Sequence, residues 1–276
     1  MSIMSRTKKA VVFLGELKTT QDKQQASPYA TGFFIKVDTI SYLVTAKHVV
    51  VNPETNKIQD DVMVFYNMKD NAQVKAISVK NLKERYGTQW VFHPEEKVDI
   101  AVIPFPIDKQ KDDILVIPDT LFLSVENLSE LYAIFFLSYQ PGVIEESRIN
   151  PITRTGIVSR INEDLSFYID APAFPGNSGS PVFVTPSSWR FEGDKLVLKD
   201  SIPGKFVGII GEYLPYNDIA VSVQTGKPRV IFEENTGISK VWSVNHLLQI
   251  IKSPSFNTQL SYIKNKIQEE HQKPNP

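Results

Sequence analysis

The sequence predicts an all-β fold. Its apolar segments are short, they are rich in Val, Ile, Phe and Tyr, and Gly, Pro, Asn and Asp bound them. Many such segments separated by turn signals are the pattern of a sandwich or barrel. In chain order the candidate strands are 10–17, 32–37, 42–45, 62–66, 74–79, 100–103, 131–137, 152–158, 165–169, 181–184, 206–210 and 238–242. Helical periodicity is expected only near the end. Ser243 is placed to cap a helix whose Val244, Leu247, Leu248 and Ile251 share one face, and Pro254 stops it. Leu260, Ile263 and Ile267 suggest a second, short amphipathic helix before a polar tail.

The chemistry is concentrated in three segments. Pro172 to Pro181 reads Pro-Ala-Phe-Pro-Gly-Asn-Ser-Gly-Ser-Pro, and it sets Ser178 in a Gly-x-Ser-Gly turn. Flanking glycines let backbone N–H groups converge beside a hydroxyl, which is what an oxyanion requires. Upstream, His48 ends the run Thr45-Ala46-Lys47-His48, and Asp99 opens Asp99-Ile100-Ala101. A serine hydroxyl is a weak nucleophile at neutral pH and needs a base. Histidine matches that pH, and a carboxylate fixes its tautomer and stabilises the imidazolium. The chain order His, Asp, Ser is that of the chymotrypsin type.

With these motifs in order, the chain resembles the trypsin-like serine peptidases. Thr31-Gly32-Phe33-Phe34-Ile35 and Phe206-Val207-Gly208-Ile209-Ile210 sit where that family places barrel strands. Gly237 to Val241 and the stretch after it are similar to its last strand and C-terminal helix. The likeness runs from about residue 10 to about residue 252 and is nearer the compact bacterial members than the secreted digestive ones. Together with the His-Asp-Ser set it implies two six-stranded antiparallel β-barrels with a C-terminal helix. The expected division is 1–120 for a lobe with His48 and Asp99, 121–252 for a lobe with Ser178, and 253–276 for a helical, polar tail. The crossover is expected at 108–120.

The resemblance also implies roles. Gly176 and Ser178 would supply the oxyanion-hole amides, Pro172 and Ala173 the base of the primary specificity pocket, and Gly211, Glu212 and Tyr213 the strand that pairs with substrate backbone. No acidic residue stands at position 172, so a preference for Arg or Lys is not implied. Asn177 occupies the place where processed members carry an aspartate that captures a new N-terminus, and Ser180 replaces a common second glycine. Long excursions at 187–205 and 214–236 would border the cleft, and one of them is expected to restrain access.

Composition limits the alternatives. The 276 residues are enough for one large domain or two lobes with a well-buried core. The formal charge of −1 gives no footprint for nucleic acid or an anionic membrane. The chain has no cysteine, which excludes disulfides, a thiol nucleophile and thiolate metal sites. Secreted members of the family it resembles carry several disulfides, so their absence points to a reducing compartment or to a bacterial periplasmic type. The apolar run at 10–14 is too short for a signal peptide, so a cytoplasmic protein is expected. His93, Glu95, Glu96 and Asp99 follow no ligand spacing, so neither metal nor cofactor is expected. The partner expected is a protein or peptide substrate cleaved by a serine endopeptidase. A reading from another class is a catalytically silent or latent protease-like binding module that needs an activating protein partner.

Overall fold

The computed structural model describes residues 6–20, 23–59, 61–70, 74–143, 148–192, 195–202 and 204–272. Its first half is a sheet of β1 (Val11–Thr20), β2 (Lys23–Val37), β3 (Ile40–Thr45), β4 (Met63–Asn67), β5 (Val74–Ser78), β6 (Val91–Phe92), β7 (Ala101–Pro104) and β8 (Ile117–Pro118). The order is β5-β4-β1-β2-β3-β7-β6, and β8 lies beside β2. All of these pairs are antiparallel except β2 with β8, where Ile35 pairs with Ile117 in parallel.

The second half is a closed barrel. β9 (Ala133–Ser138), β10 (Ile152–Ile161), β11 (Ser166–Asp170), β12 (Pro181–Val184), β15 (Lys205–Val221) and β16 (Pro228–Ser243) close in the order β10-β11-β16-β15-β12-β9. Between β12 and β15, β13 (Ser187–Glu192) and β14 (Lys195–Ile202) pair as a separate two-stranded ribbon. Four α-helices are described: α1 (Lys47–Val50), α2 (Val79–Tyr86), α3 (Val244–Lys252) and α4 (Pro254–Gln272).

Every predicted strand segment falls on an observed strand, but the architecture needs correcting. Two closed six-stranded barrels were expected; among the described residues the second sheet closes and the first does not. After β5 the chain turns into α2 instead of continuing the ladder, and β6 is two residues long. The Ser78 hydroxyl caps α2 by accepting from the Asn81 N–H at 3.3 Å, and Gly87 ends it in the left-handed conformation at φ 64°. Val79 and Leu82 then pack into the apolar interior of the sheet with Val12, Val64 and Trp90.

The expectation that helices occur only near the end is corrected by α2 as well. Pro254 both stops α3 and opens α4, the first-turn position that proline tolerates best. The second C-terminal helix is longer than expected, at 19 residues. The excursions at 187–205 and 214–236 are hairpins: one is the β13–β14 ribbon, and the other extends the β15–β16 pair outward. No described helix is long and apolar enough to cross a membrane.

What holds sheet to barrel is a continuous apolar core. Phe13, Phe33 and Ile35 from the sheet join Leu137, Phe183 and Phe206 from the barrel, and Leu247, Ile250 and Phe256 from α3 and α4. The rings of Phe33 and Phe206 lie 5.2 Å apart, and those of Phe13 and Tyr139 lie 5.0 Å apart. Burial of each such side chain stabilises by roughly 1.5–3 kcal/mol. The two bodies thus meet across an apolar seam that holds the residues at its rim in place.

Candidate active site

His48 sits on α1, a single helical turn directly after β3. Buried Val49 and Val50 anchor that turn. The Lys47 ammonium reaches the Glu96 carbonyl at 3.4 Å, which ties α1 to the loop that carries Asp99. In that loop Val98 and Ile100 are fully buried, so their burial fixes the carboxylate between them. Asp99 engages His48 twice: the His48 backbone N–H donates to Oδ1 at 2.8 Å and the ring Nδ1–H donates to Oδ2 at 2.6 Å. An ionised carboxylate only accepts, so the arrangement leaves Nε2 as the free, basic nitrogen. The His48 side chain is 44% exposed and that of Asp99 22%, so the ring is reachable while the carboxylate is shielded.

The charges act on the ring in opposite directions. Burial pulls the His48 pKa down, but the Asp99 hydrogen bond, the Asp99 charge and the Glu212 charge raise it above the ordinary value, and they prevail. The folded protein therefore favours the imidazolium more than the unfolded chain does. Its stabilising contribution is complete below the unfolded pKa and is lost as pH rises through the folded one.

Ser178 lies in the loop between β11 and β12, half-buried. Gly176 and Gly179 on either side adopt φ 98° and 82°. In the loop the Asn177 N–H donates to Phe174 O, the Gly179 N–H to Ile210 O and the Ser180 N–H to Asn177 O. The N–H groups of Gly176 and Ser178 have no acceptor among the described residues. The Ser178 hydroxyl donates to the Gly211 carbonyl at 3.4 Å and makes no hydrogen bond to the His48 ring in this structure. The structure therefore joins His48 to Asp99 directly and brings Ser178 to the same seam without closing the last contact.

Residues that the motifs did not single out place the loop. The Thr31 hydroxyl donates to Gly176 O at 2.7 Å and accepts from the Tyr139 N–H at 2.9 Å, while the Thr31 N–H donates to Ser178 O at 3.1 Å. The Thr45 hydroxyl donates to Thr31 O at 2.8 Å. β2 and β3 of the sheet thus grip the serine loop of the barrel. Asn177, fully buried, accepts the Phe174 N–H at 2.9 Å and donates to Tyr139 O at 2.7 Å. Its amide braces the loop and ties it to the residue after β9. Ser180 carries a buried hydroxyl with no partner among the described residues, the cost of the departure from glycine.

The expected specificity residues divide. Ala173 is buried, and β16 side chains hold both of its backbone groups: its N–H donates to Ser239 Oγ at 3.0 Å and its carbonyl accepts from Asn235 Nδ2 at 2.6 Å. Pro172 is exposed. The β12–β15 ladder ends with Pro181 opposite Ile209, and just beyond it the Ile210 N–H donates to Ser180 O and the Ile210 carbonyl accepts the Gly179 N–H, both at 2.9 Å. From Gly211 through Glu212 to Tyr213, the β15 edge on the Ser178 side has no strand partner among the described residues, and the Gly211 carbonyl there accepts the Ser178 hydroxyl. Gly211 lies against Trp242, where a Cβ would come within 2.8 Å of the indole nitrogen. Glu212 is exposed, and Tyr213 hydrogen-bonds Glu233 across the hairpin. His93 has both ring nitrogens engaged: Nδ1 accepts from the Glu95 N–H at 3.0 Å and Nε2 meets Gln249 Oε1 at 2.6 Å.

Residues 30–191 match the family model of the trypsin-like peptidase domain, a span that contains His48, Asp99 and Ser178 and stops short of Gly211. No curated protein matches the chain at a significant level. Over half of its 276 residues, on a mostly β fold with one closed barrel, this chain belongs to the trypsin-like peptidase domain family.

Proposed function

We propose that this chain is a serine endopeptidase that works through an acyl-enzyme on Ser178. The observation that carries the reading is the two-point grip of Asp99 on His48 at 2.8 and 2.6 Å, beside a serine whose loop keeps two amides unengaged. His48 Nε2 accepts the Ser178 proton as Oγ attacks the scissile carbonyl. The protonated ring then donates that proton to the leaving amine. Asp99 holds the tautomer and stabilises the imidazolium. The N–H groups of Gly176 and Ser178 receive the negative charge that develops on the carbonyl oxygen. Each such donor contributes roughly 3 kcal/mol to lowering the barrier.

In this reading an extended substrate adds a strand along Gly211, Glu212 and Tyr213. A substrate N–H bonded to the Gly211 carbonyl takes the acceptor that the Ser178 hydroxyl now uses at 3.4 Å. The hydroxyl is then released to turn towards His48. Catalytic hydrogen bonds commonly tighten only once substrate is bound. The same 3.4 Å contact also supports a second reading, a latent protease-like module that a protein partner must align.

Labelling by an alkyl fluorophosphonate separates the two. An active enzyme is labelled at Ser178 without any additive, and Ser178→Ala is not. Labelling that requires cell extract indicates the latent module. A label retained in Ser178→Ala defeats both.

The charge on Glu212 gives a pH test. Since Glu212 helps to raise the His48 pKa, Glu212→Gln is expected to move the acid limb of the labelling rate to lower pH. The neutral base then persists further into acid. A limb that stays in place shows that the Glu212 charge does not reach the ring.

A further inference from the structure

A cavity of about 480 Å³ lies on the first sheet under α4, away from the Ser178 loop, and no step of the proposed reaction uses it. Its volume is in the range of small-molecule sites. Ile40, Phe105 and Ile263 supply apolar wall from β3, from the segment after β7 and from α4. Arg85, Lys109 and Lys266 line it from three separate elements, and no carboxylate does. Among the described residues none of these three cations forms an ion pair. Arg85 lies over the Tyr86 ring at 5.4 Å, and Lys266 reaches Tyr86 O at 3.5 Å. The neighbouring acids are already committed: Asp38 pairs with Lys264 at 2.7 Å, and Asp108 accepts from the Gln110 N–H at 2.9 Å. Thr88, also on the wall, is buried with a hydroxyl that lacks a partner.

An apolar chamber rimmed by three unpaired cations suits one kind of ligand. We propose that this cavity binds a single-chain amphipathic anion, with a carboxylate or phosphate head at Arg85, Lys109 and Lys266 and an apolar body against Ile40, Phe105 and Ile263. Charge-assisted hydrogen bonds fix the head, and removal of the chain from water supplies most of the affinity. The bound molecule bridges α4 to the sheet. There the protein's own links are the Phe256 ring, 4.7 Å from that of Tyr42, and Gln259, which exchanges hydrogen bonds with the Gln89 N–H and carbonyl at 2.6 and 2.8 Å. The cavity is also connected to the candidate active site. β3 runs from Ile40 on the wall to Thr45, a span of about 17 Å at strand rise, and β7 runs from Ala101 near Asp99 to Pro104 on the wall.

The test is isothermal titration of the full chain with decanoate, decyl phosphate and decanol, with thermal unfolding in parallel. At least one of the anions is expected to bind and raise the Tm, and decanol is expected to bind about tenfold more weakly or worse. Arg85→Glu/Lys109→Glu alters two exposed side chains and is expected to weaken anion binding by about tenfold or more with the Tm of the unliganded protein unchanged. Co-sedimentation with phosphatidylglycerol vesicles distinguishes a bilayer from a free molecule as the source of the anion. Binding to vesicles without binding to either monomeric anion overturns the proposal. So does equal binding of decanol, or anion binding that the double variant leaves unchanged.

Discussion

Asp99→Asn is expected to lower the rate of fluorophosphonate labelling, and kcat on any cleaved peptide, by about four orders of magnitude. The reason lies in which atoms the carboxylate serves. Oδ1 accepts the His48 backbone N–H and Oδ2 accepts the ring Nδ1–H. An asparagine side chain has one acceptor and one donor. Its oxygen keeps the backbone bond, so its NH₂ faces Nδ1 and imposes the tautomer with the proton on Nε2. That nitrogen can no longer receive the Ser178 proton. The fold is expected to survive, because the site is partly exposed and the amide is isosteric with the carboxylate, so a Tm close to wild type should accompany the lost rate. Loss of the Asp99 hydrogen bond and charge also removes the main causes that raise the ring's pKa, and the His48 titration followed by NMR should move to lower pH. An Asn variant within tenfold of wild type would show that the pair is structural and that some other group takes the proton.

The three reactive positions were legible because each lies in a short local pattern: Thr-Ala-Lys-His, Asp-Ile-Ala and Gly-Asn-Ser-Gly. The strands were legible for a related reason, since β-branched and aromatic runs between turn residues carry their own signal. What positions the chemistry is not local. Thr31 reaches Gly176 across 145 residues and Tyr139 across 108, and nothing around Thr31 in the sequence marks its hydroxyl as a clamp. Ser239 and Asn235 hold Ala173 from a strand more than 60 residues away. The motif marks Asn177 by what it replaces, whereas its amide joins Phe174 in the loop to Tyr139, 38 residues away. The open first sheet escaped for a different reason. α2 makes only about two turns and begins where the β5 pattern ends, so Val79 reads equally well as the last residue of a strand. Its Ser78 cap and Gly87 stop are visible only once the period is known to change there.

The second large effect is expected at Gly179, which the motif suggests is there to expose the serine. The structure assigns it a sharper task. A Cβ at Gly179 would lie 2.2 Å from Thr31 O, 2.4 Å from Thr45 Oγ1 and 3.0 Å from Ala46 N. These atoms belong to β2, β3 and the residue two before His48. The backbone at Gly179 therefore lies directly against the sheet that carries the base. Gly179→Ala meets two penalties together. The φ of 82° costs an L-residue about 1–2 kcal/mol, and the clash with backbone atoms cannot be relieved by rotating a side chain. The total is expected to exceed about 3 kcal/mol, which lowers the Tm by roughly 6–12 °C in a chain of this size. The strain is relieved most readily by moving the loop away from Thr31, which breaks the bonds from Thr31 to Gly176 O and Ser178 O. The free amides of Gly176 and Ser178 then lose their aim, and a further loss of about 10²–10³ in labelling rate is expected even in the folded fraction. Calorimetry on the purified variant gives the first quantity, and labelling corrected for folded protein gives the second. If the alanine variant keeps the wild-type Tm and labels at the wild-type rate, the serine loop is not gripped by the sheet, and the seam between sheet and barrel does not set the geometry of the site.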